Sequence, residues 1–208
     1  QVILILFDLD FRAYVWLTYR LAGTFALGLP LVILIWASIR KVSSIKRLLL
    51  IYWKNASLLG ISLLLIVDNR PLAYFTGFLA SILMVASVWF WVDLNEELMD
   101  LPPWKALPLT TKIWRWSLSG FGLMASAMTL ISLSCINNSS TNRCLIWLEF
   151  PTEFHQITSN LLKFILGATW TESLSAFVGY ACLIAYSAGL LQWLLIKLPR
   201  QGRIAGDF

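Results

Sequence analysis

Four groups of residues have types and spacings that point to chemistry. Cys135 and Cys144 bracket a polar loop of eight residues. Two cysteines can bridge over that distance if their Cβ vectors agree, and the spacing is not the Cys-x-x-Cys of a catalytic dithiol. Asp93, Glu96, Glu97 and Asp100 recur at i, i+3, i+4 and i+7, which on a helix continuing out of a membrane span makes one acidic face. Carboxylates at a helix C-terminus oppose its dipole. The face therefore reads as a solvated end or a partner-docking surface that calls for a cation, from Lys105, Lys112 or Arg115, from the basic first loop, or from another protein. His155 is the single histidine, which excludes a multi-histidine metal cage and a two-histidine haem clamp. It is a candidate ligand for the magnesium of a chlorophyll, set against the plainer reading of a solvated histidine. Lys54, Asn55 and Ser57 form a polar cluster at bilayer depth. No glycine-rich phosphate loop, nucleophile elbow, zinc motif or Glu-x-x-His pair is present.

The elements that must hold these groups follow from where the charges fall. Of 208 residues, 59% are hydrophobic and 13% charged, against about 25% charged in soluble domains. A soluble enzyme and a nucleic-acid partner are both excluded on that ground, because the basic residues lie between long uncharged runs. Crossing a bilayer takes about 20 mostly apolar residues in a helix. The runs place five spans at about 21–39, 48–67, 71–92, 116–135 and 173–196. They belong to one transmembrane domain over 1–208, with a loop at 93–115 on one side and another at 136–172 on the other. The apolar stretch 1–7 is too short to span alone. Lys54 falls inside the second span, seven residues after Arg47. It reads either as snorkelling to the interface or as a buried functional lysine.

Five spans put the termini on opposite sides. Arg12, Arg20, Arg70, Arg143 and Lys163 lie on the side of the N-terminus, and the other eleven of the sixteen Lys and Arg lie on the side of the C-terminus. The positive-inside rule then places the C-terminus in the cytoplasm or stroma and the N-terminus in the lumen or periplasm. The cysteine pair and His155 fall in the oxidising compartment, where a Cys135–Cys144 disulfide is expected. Two glycosylation sequons at Asn137 and Asn138 share that loop. In 151–168, His155, Gln156, Ser159, Asn160 and Lys163 make a polar stripe opposite Ile157, Leu161, Phe164, Ile165 and Ala168. That is the pattern of an interfacial helix on the lumenal surface. Most of the eleven tryptophans, Trp114 and Trp147 among them, fall near span ends and read as interface anchors.

Asp68-Asn69-Arg70-Pro71 is too short for anything but a tight antiparallel hairpin. Gly28 and Pro30 permit a kink in the first span. Small residues four apart, Ala181, Ala185 and Gly189 with Ser175 and Gly179, and a similar stripe of Ser119, Gly122 and Ser126, let helices approach closely. They serve packing inside the bundle or a docking face for another subunit. Cys182 reads as a small core residue.

Several stretches together resemble a family of cyanobacterial integral membrane proteins without an assigned activity. They are Leu17-Thr18-Tyr19-Arg20-Leu21-Ala22, the run from Arg47 to Leu59, Trp89-Phe90-Trp91-Val92-Asp93-Leu94-Asn95-Glu96-Glu97, Leu133-Ser134-Cys135 and Gln201-Gly202-Arg203. The resemblance runs nearly end to end and carries over no catalytic residue. It implies an oxygenic phototroph and the thylakoid membrane. The expected function is a non-enzymatic accessory or assembly subunit of a photosystem-type complex, contacting membrane lipid and other integral subunits. Chlorophyll or carotenoid is a candidate bound cofactor. The alternative is a small oligomeric transporter or channel centred on Lys54.

Overall fold

The computed structural model describes residues 2–136 and 141–205, among which every regular element is helical. A chain that must satisfy its backbone within lipid has few other choices. Helix α1 (Val2–Leu21) passes through a π-helical segment (Ala22–Gly28) into α2 (Leu29–Ile39). Then follow α3 (Ser43–Val67), α4 (Leu72–Trp89), α5 (Val92–Met99), α6 (Ala106–Ser132), α7 (Asn142–Leu166), α8 (Glu172–Gln192) and α9 (Leu198–Gln201). Five stretches are long and apolar enough to cross a membrane: Phe11–Ile39, Ser43–Val67, Leu72–Trp89, Ala106–Ile136 and Glu172–Arg200. The chain is thus an all-helical, polytopic membrane protein.

The spans match the predicted five in number and order, and the helices differ from them at their ends. The first begins well before residue 21, because 2–39 is one continuous helical path that carries Arg12 and Arg20 within it. The fourth begins at Ala106, so Lys112 and Arg115 are helical rather than loop residues. The region 93–115 is therefore mostly α5 and the opening of α6. Helix α7 starts nine residues before the expected 151 and contains Pro151 in its interior. It ends at Gly167, whose φ of +67° closes the helix in the left-handed conformation that glycine adopts without a Cβ clash.

The hairpin at Asp68–Pro71 forms as its residues predict. Asn69 takes the left-handed conformation, with φ +50°. The Asn69 and Arg70 amides close back on Ile66 and Leu65 at 2.9 and 3.1 Å. The hairpin pairs α3 with α4, and these two helices are the centre of the bundle. Leu48, Leu49, Tyr52, Trp114 and Leu118 fill the half of the core toward the C-terminal side. Leu58, Leu65, Tyr74, Cys135, Cys144 and Trp147 fill the half toward the disulfide side.

Trp114 and Trp147, read from sequence as interface anchors, are instead core residues, 2% and 4% exposed. Trp104 and Trp116 do stand outside, as a belt residue would. Cys182, expected in the core, is exposed, because α8 packs against the bundle along one side only.

The Ser119–Gly122–Ser126 stripe packs inside the bundle. The Trp89 indole donates to Ser119 Oγ at 2.8 Å, Ser126 and Ser81 hydroxyls meet at 2.9 Å, and a Cβ on Gly122 would lie 2.2 Å from Val85 Cγ2. On α8, Ser175 is buried and Gly179 abuts Leu64 and Leu65. Ala181, Ala185 and Gly189 remain exposed.

Candidate functional site

The break between α4 and α5 organises the C-terminal side. Helix α4 ends at Trp89, and Trp91 is extended (φ −87°, ψ 115°) before α5 begins at Val92. The carboxylates therefore do not ride on the C-terminal end of a continuing helix, as the spacing suggested. Asp93 lies in the first turn of a new helix, where the dipole favours a negative charge.

The single acidic face is also divided by its partners. Both oxygens of Asp93 accept the Ala205 amide at 3.0 Å. Glu97 accepts the Ser44 hydroxyl at 2.6 Å and is ion-paired with Arg47. The compensating cation thus comes from the opening of α3, so the expected basic first loop is already helical at Arg47. The hydrogen bond from Arg47, then that from Ser44, holds the Glu97 carboxyl below the usual carboxylate range. Glu96 and Asp100 are exposed, beside the outward-facing Met99 and Trp104. Of the predicted docking residues, these two point away from the chain.

Arg115 secures the break from beneath. It is 8% exposed, its guanidinium lies 4.1 Å from the centroid of the Trp89 ring, and it donates to the Val88 carbonyl at 2.6 Å and to Asn95. Asn95 in turn donates to the Trp89 carbonyl at 3.0 Å. The tail closes the same joint: Arg203 Nε donates to the Phe90 carbonyl at 2.9 Å, and the Val92 amide donates to the Arg203 carbonyl at 3.1 Å. Sequence reasoning missed Ser44 and Arg203 here because their partners lie far away in the chain, and Asn95 because its bond to Trp89 exists only once α4 has ended.

Lys54, Asn55 and Ser57 line a groove of ≈ 590 Å³ between α3, α4 and α8. The Tyr186 hydroxyl donates to Asn55 Oδ1 at 3.3 Å, and Ser57 donates to the Lys54 carbonyl at 2.7 Å. Phe90, Trp91 and Trp193 cluster at the C-terminal-side end of the groove, with ring centroids 5.2–5.9 Å apart. Lys197 lines it too.

On the opposite side Cys135 and Cys144 form a disulfide, with Cα atoms 5.7 Å apart. It ties the 3-10 turn after α6 to the first turn of α7. The sequons at Asn137 and Asn138 lie outside the described residues. The Glu149 carboxylate clamps α7 to α1, accepting Arg12 Nε at 2.8 Å and the Trp16 indole at 3.0 Å. His155 is half-buried on α7, with Nε2 enclosed and no hydrogen-bond partner for it among the described residues. A pigment magnesium approaching that nitrogen would need its surroundings to open. Among the described residues no group of three or more His, Cys, Asp or Glu is placed to hold a metal ion.

Pro30 and Pro151 lie inside helical paths, and a proline deprives the carbonyl about one turn earlier of its donor. For Pro30, which follows a π-helical segment whose bonds reach back five residues, the carbonyls concerned are Ala26 and Phe25, and the buried Tyr52 hydroxyl donates to Ala26 at 2.7 Å. The neighbouring Phe25 carbonyl receives the Trp114 indole at 2.9 Å. For Pro151 the carbonyl is Trp147, which receives the Tyr19 hydroxyl at 3.0 Å. The same device recurs on both sides of the bundle. The π-helical segment before Pro30 absorbs the expected kink, as such segments do where the helical ladder is interrupted.

Fold and site together define a polytopic helical membrane protein with a stapled face at each end. The family model described as "Protein of unknown function (DUF3177)" matches residues 12–206, and the chain belongs to that family. No curated protein and no solved structure matches it.

Proposed function

We propose that the chain is a non-enzymatic accessory or assembly subunit of a photosystem-type complex in a cyanobacterial thylakoid membrane. It acts through helix packing and loop docking. The observation that carries this reading is the state of α8. The most apolar stretch of that span is 17% buried inside the chain, against 50% for α3 and α4. Its small residues Ala181, Ala185 and Gly189 are all exposed, Ala185 and Gly189 along the groove toward α3 and α4, although small residues at this spacing suit close helix contact.

Further support comes from the extramembrane faces. Glu96, Met99, Asp100 and Trp104 are exposed together on the C-terminal side. On α7 the apolar stripe of Ile157, Leu161, Phe164 and Ile165 is exposed as well, which suits a helix lying in the headgroup layer. The eleven-to-five division of Lys and Arg supports a stromal C-terminus and a lumenal N-terminus and disulfide. The photosynthetic setting rests on the sequence resemblance alone.

Clear-native electrophoresis of membranes opened with a mild detergent tests the reading. Co-migration with a larger pigmented complex is the expected result, and migration solely as a free small protein contradicts it.

The transporter reading draws on the interrupted first span and on the groove beside Lys54, since broken helices at bilayer depth often line substrate sites. Here Tyr52 and Trp114 occupy the carbonyls that the interruption would otherwise offer to an ion. Loss of flux in Lys54→Ala proteoliposomes would favour this second reading.

A further inference from the structure

Hydroxyl groups from three helices meet around one small cavity in the half of the bundle toward the disulfide. It measures ≈ 60 Å³ and lies where α1, α3, α4 and α6 come together, with Trp147 of α7 in its wall. Thr18 of α1, Ser62 of α3, and Thr129 and Ser132 of α6 line it. Each of these hydroxyls already gives its proton to a backbone carbonyl. Thr18 donates to Tyr14 at 2.8 Å, Ser62 to Ala73 at 3.0 Å, and Thr129 to Ala125 and Ser132 to Thr129 at 2.7 Å each. A hydroxyl oxygen carries two lone pairs besides its proton, so what these groups still offer the cavity is acceptors. Trp147 offers the opposite. It is buried, its indole Nε1 is enclosed, and no acceptor answers it among the described residues. An indole N–H can only donate, and an enclosed donor without an acceptor is costly. Among the described residues no aspartate or glutamate lines the cavity.

We propose that this cavity is an internal water site, holding about two waters at the roughly 30 Å³ that each takes in the liquid. The waters accept the Trp147 N–H and donate their own protons to the hydroxyl oxygens of α1, α3 and α6. Water suits this set of groups because it is donor and acceptor at once. A cation would take the hydroxyl oxygens but leave the indole N–H facing a like charge, and an apolar guest would answer neither. The site is independent of which complex the chain joins.

The test is radiolytic hydroxyl labelling of the purified full chain in detergent, read by mass spectrometry, since a bound water yields its radical beside the side chain it touches. Trp147 and Trp114 form a matched pair, 4% and 2% exposed, and Trp114 does not line this cavity. The expected result is severalfold faster labelling of Trp147 than of Trp114. The ratio should fall toward one when Ala125→Leu fills the cavity from its wall. If Ala125→Leu fails to fold, Thr129→Val combined with Ser132→Ala removes two acceptors at nearly constant shape and should lower the ratio as well. Equal labelling of the two tryptophans in wild type means a dry cavity and overturns the proposal. A ratio that neither variant lowers overturns it too, because the radicals then come from bulk water. A melting temperature raised by sodium or potassium chloride over choline chloride at equal ionic strength overturns it in favour of a bound cation.

Discussion

The Tyr52 hydroxyl donates to the Ala26 carbonyl at 2.7 Å, across the interface between the first span and α3. Ala26 and its neighbour Phe25 are the carbonyls that Pro30 leaves short of a helical donor where the π-helical segment ends, and both Tyr52 and Ala26 are fully buried. In lipid such a carbonyl has no water to turn to. Tyr52→Phe is expected to destabilise the protein by about 1–3 kcal/mol, the cost of an enclosed, unanswered acceptor. In a Pro30→Ala background the backbone regains an N–H, and the same substitution should cost less. Thermal unfolding in detergent of the four combinations measures the coupling; an equal cost in both backgrounds would separate Tyr52 from Pro30.

Glu97 gives the acid limb of stability. Its carboxyl is held below its ordinary range by Arg47 and Ser44, so the folded state binds a proton less readily than the unfolded one. The contribution is full above the unfolded-state pKa and is lost as pH falls through the lowered folded-state value. Both partners are partly solvated, with side chains 25% and 41% exposed, so the effect is at most about 1 kcal/mol and shrinks with added salt. Between about pH 5 and pH 3, wild type should lose more melting temperature than Glu97→Gln. Parallel curves would remove the ion pair from the account.

How much of this was legible in the sequence depends on the range of the interaction. The spans were readable because charges bracket them, and the hairpin at Asp68–Pro71 because its residues dictate a local turn. The end of α4 was not, since Trp-Phe-Trp carries no helix-breaking residue. The extended conformation of Trp91 is fixed from a distance by Asn95, Arg115 and Arg203. That Pro30 would interrupt the helical ladder of the first span could be anticipated, and so could a freed carbonyl one turn before it. Which tyrosine would answer it could not, because Tyr52 and Ala26 meet only through packing.

Gly122 marks a close approach of α4 and α6. A methyl group there would lie 2.2 Å from Val85 Cγ2, so Gly122→Ala should cost about 1–3 kcal/mol through overpacking. Val85→Ala in the same chain should restore most of the loss. Melting temperatures of the single and double variants decide it, and a Gly122→Ala variant as stable as wild type would contradict the close packing.

The Cys135–Cys144 bridge closes a short loop, its two cysteines nine positions apart. Reduction should lower stability by roughly 2–3 kcal/mol by freeing the unfolded chain. It should also loosen the hold of α6 on the start of α7. Unfolding with and without reductant, beside a double Cys→Ser variant that reductant leaves unchanged, measures this. A wild type indifferent to reductant would assign the bridge no stabilising role.

The central claim is that the outward face of α8 is covered by another membrane subunit. Site-specific photo-crosslinking in native membranes tests it most directly, with the crosslinker at exposed Ala181 and a control at Ala125, which is 5% exposed inside the bundle. The account predicts a crosslinked adduct with a second membrane protein from position 181 and none from position 125. Adducts with lipid alone from position 181 would contradict it.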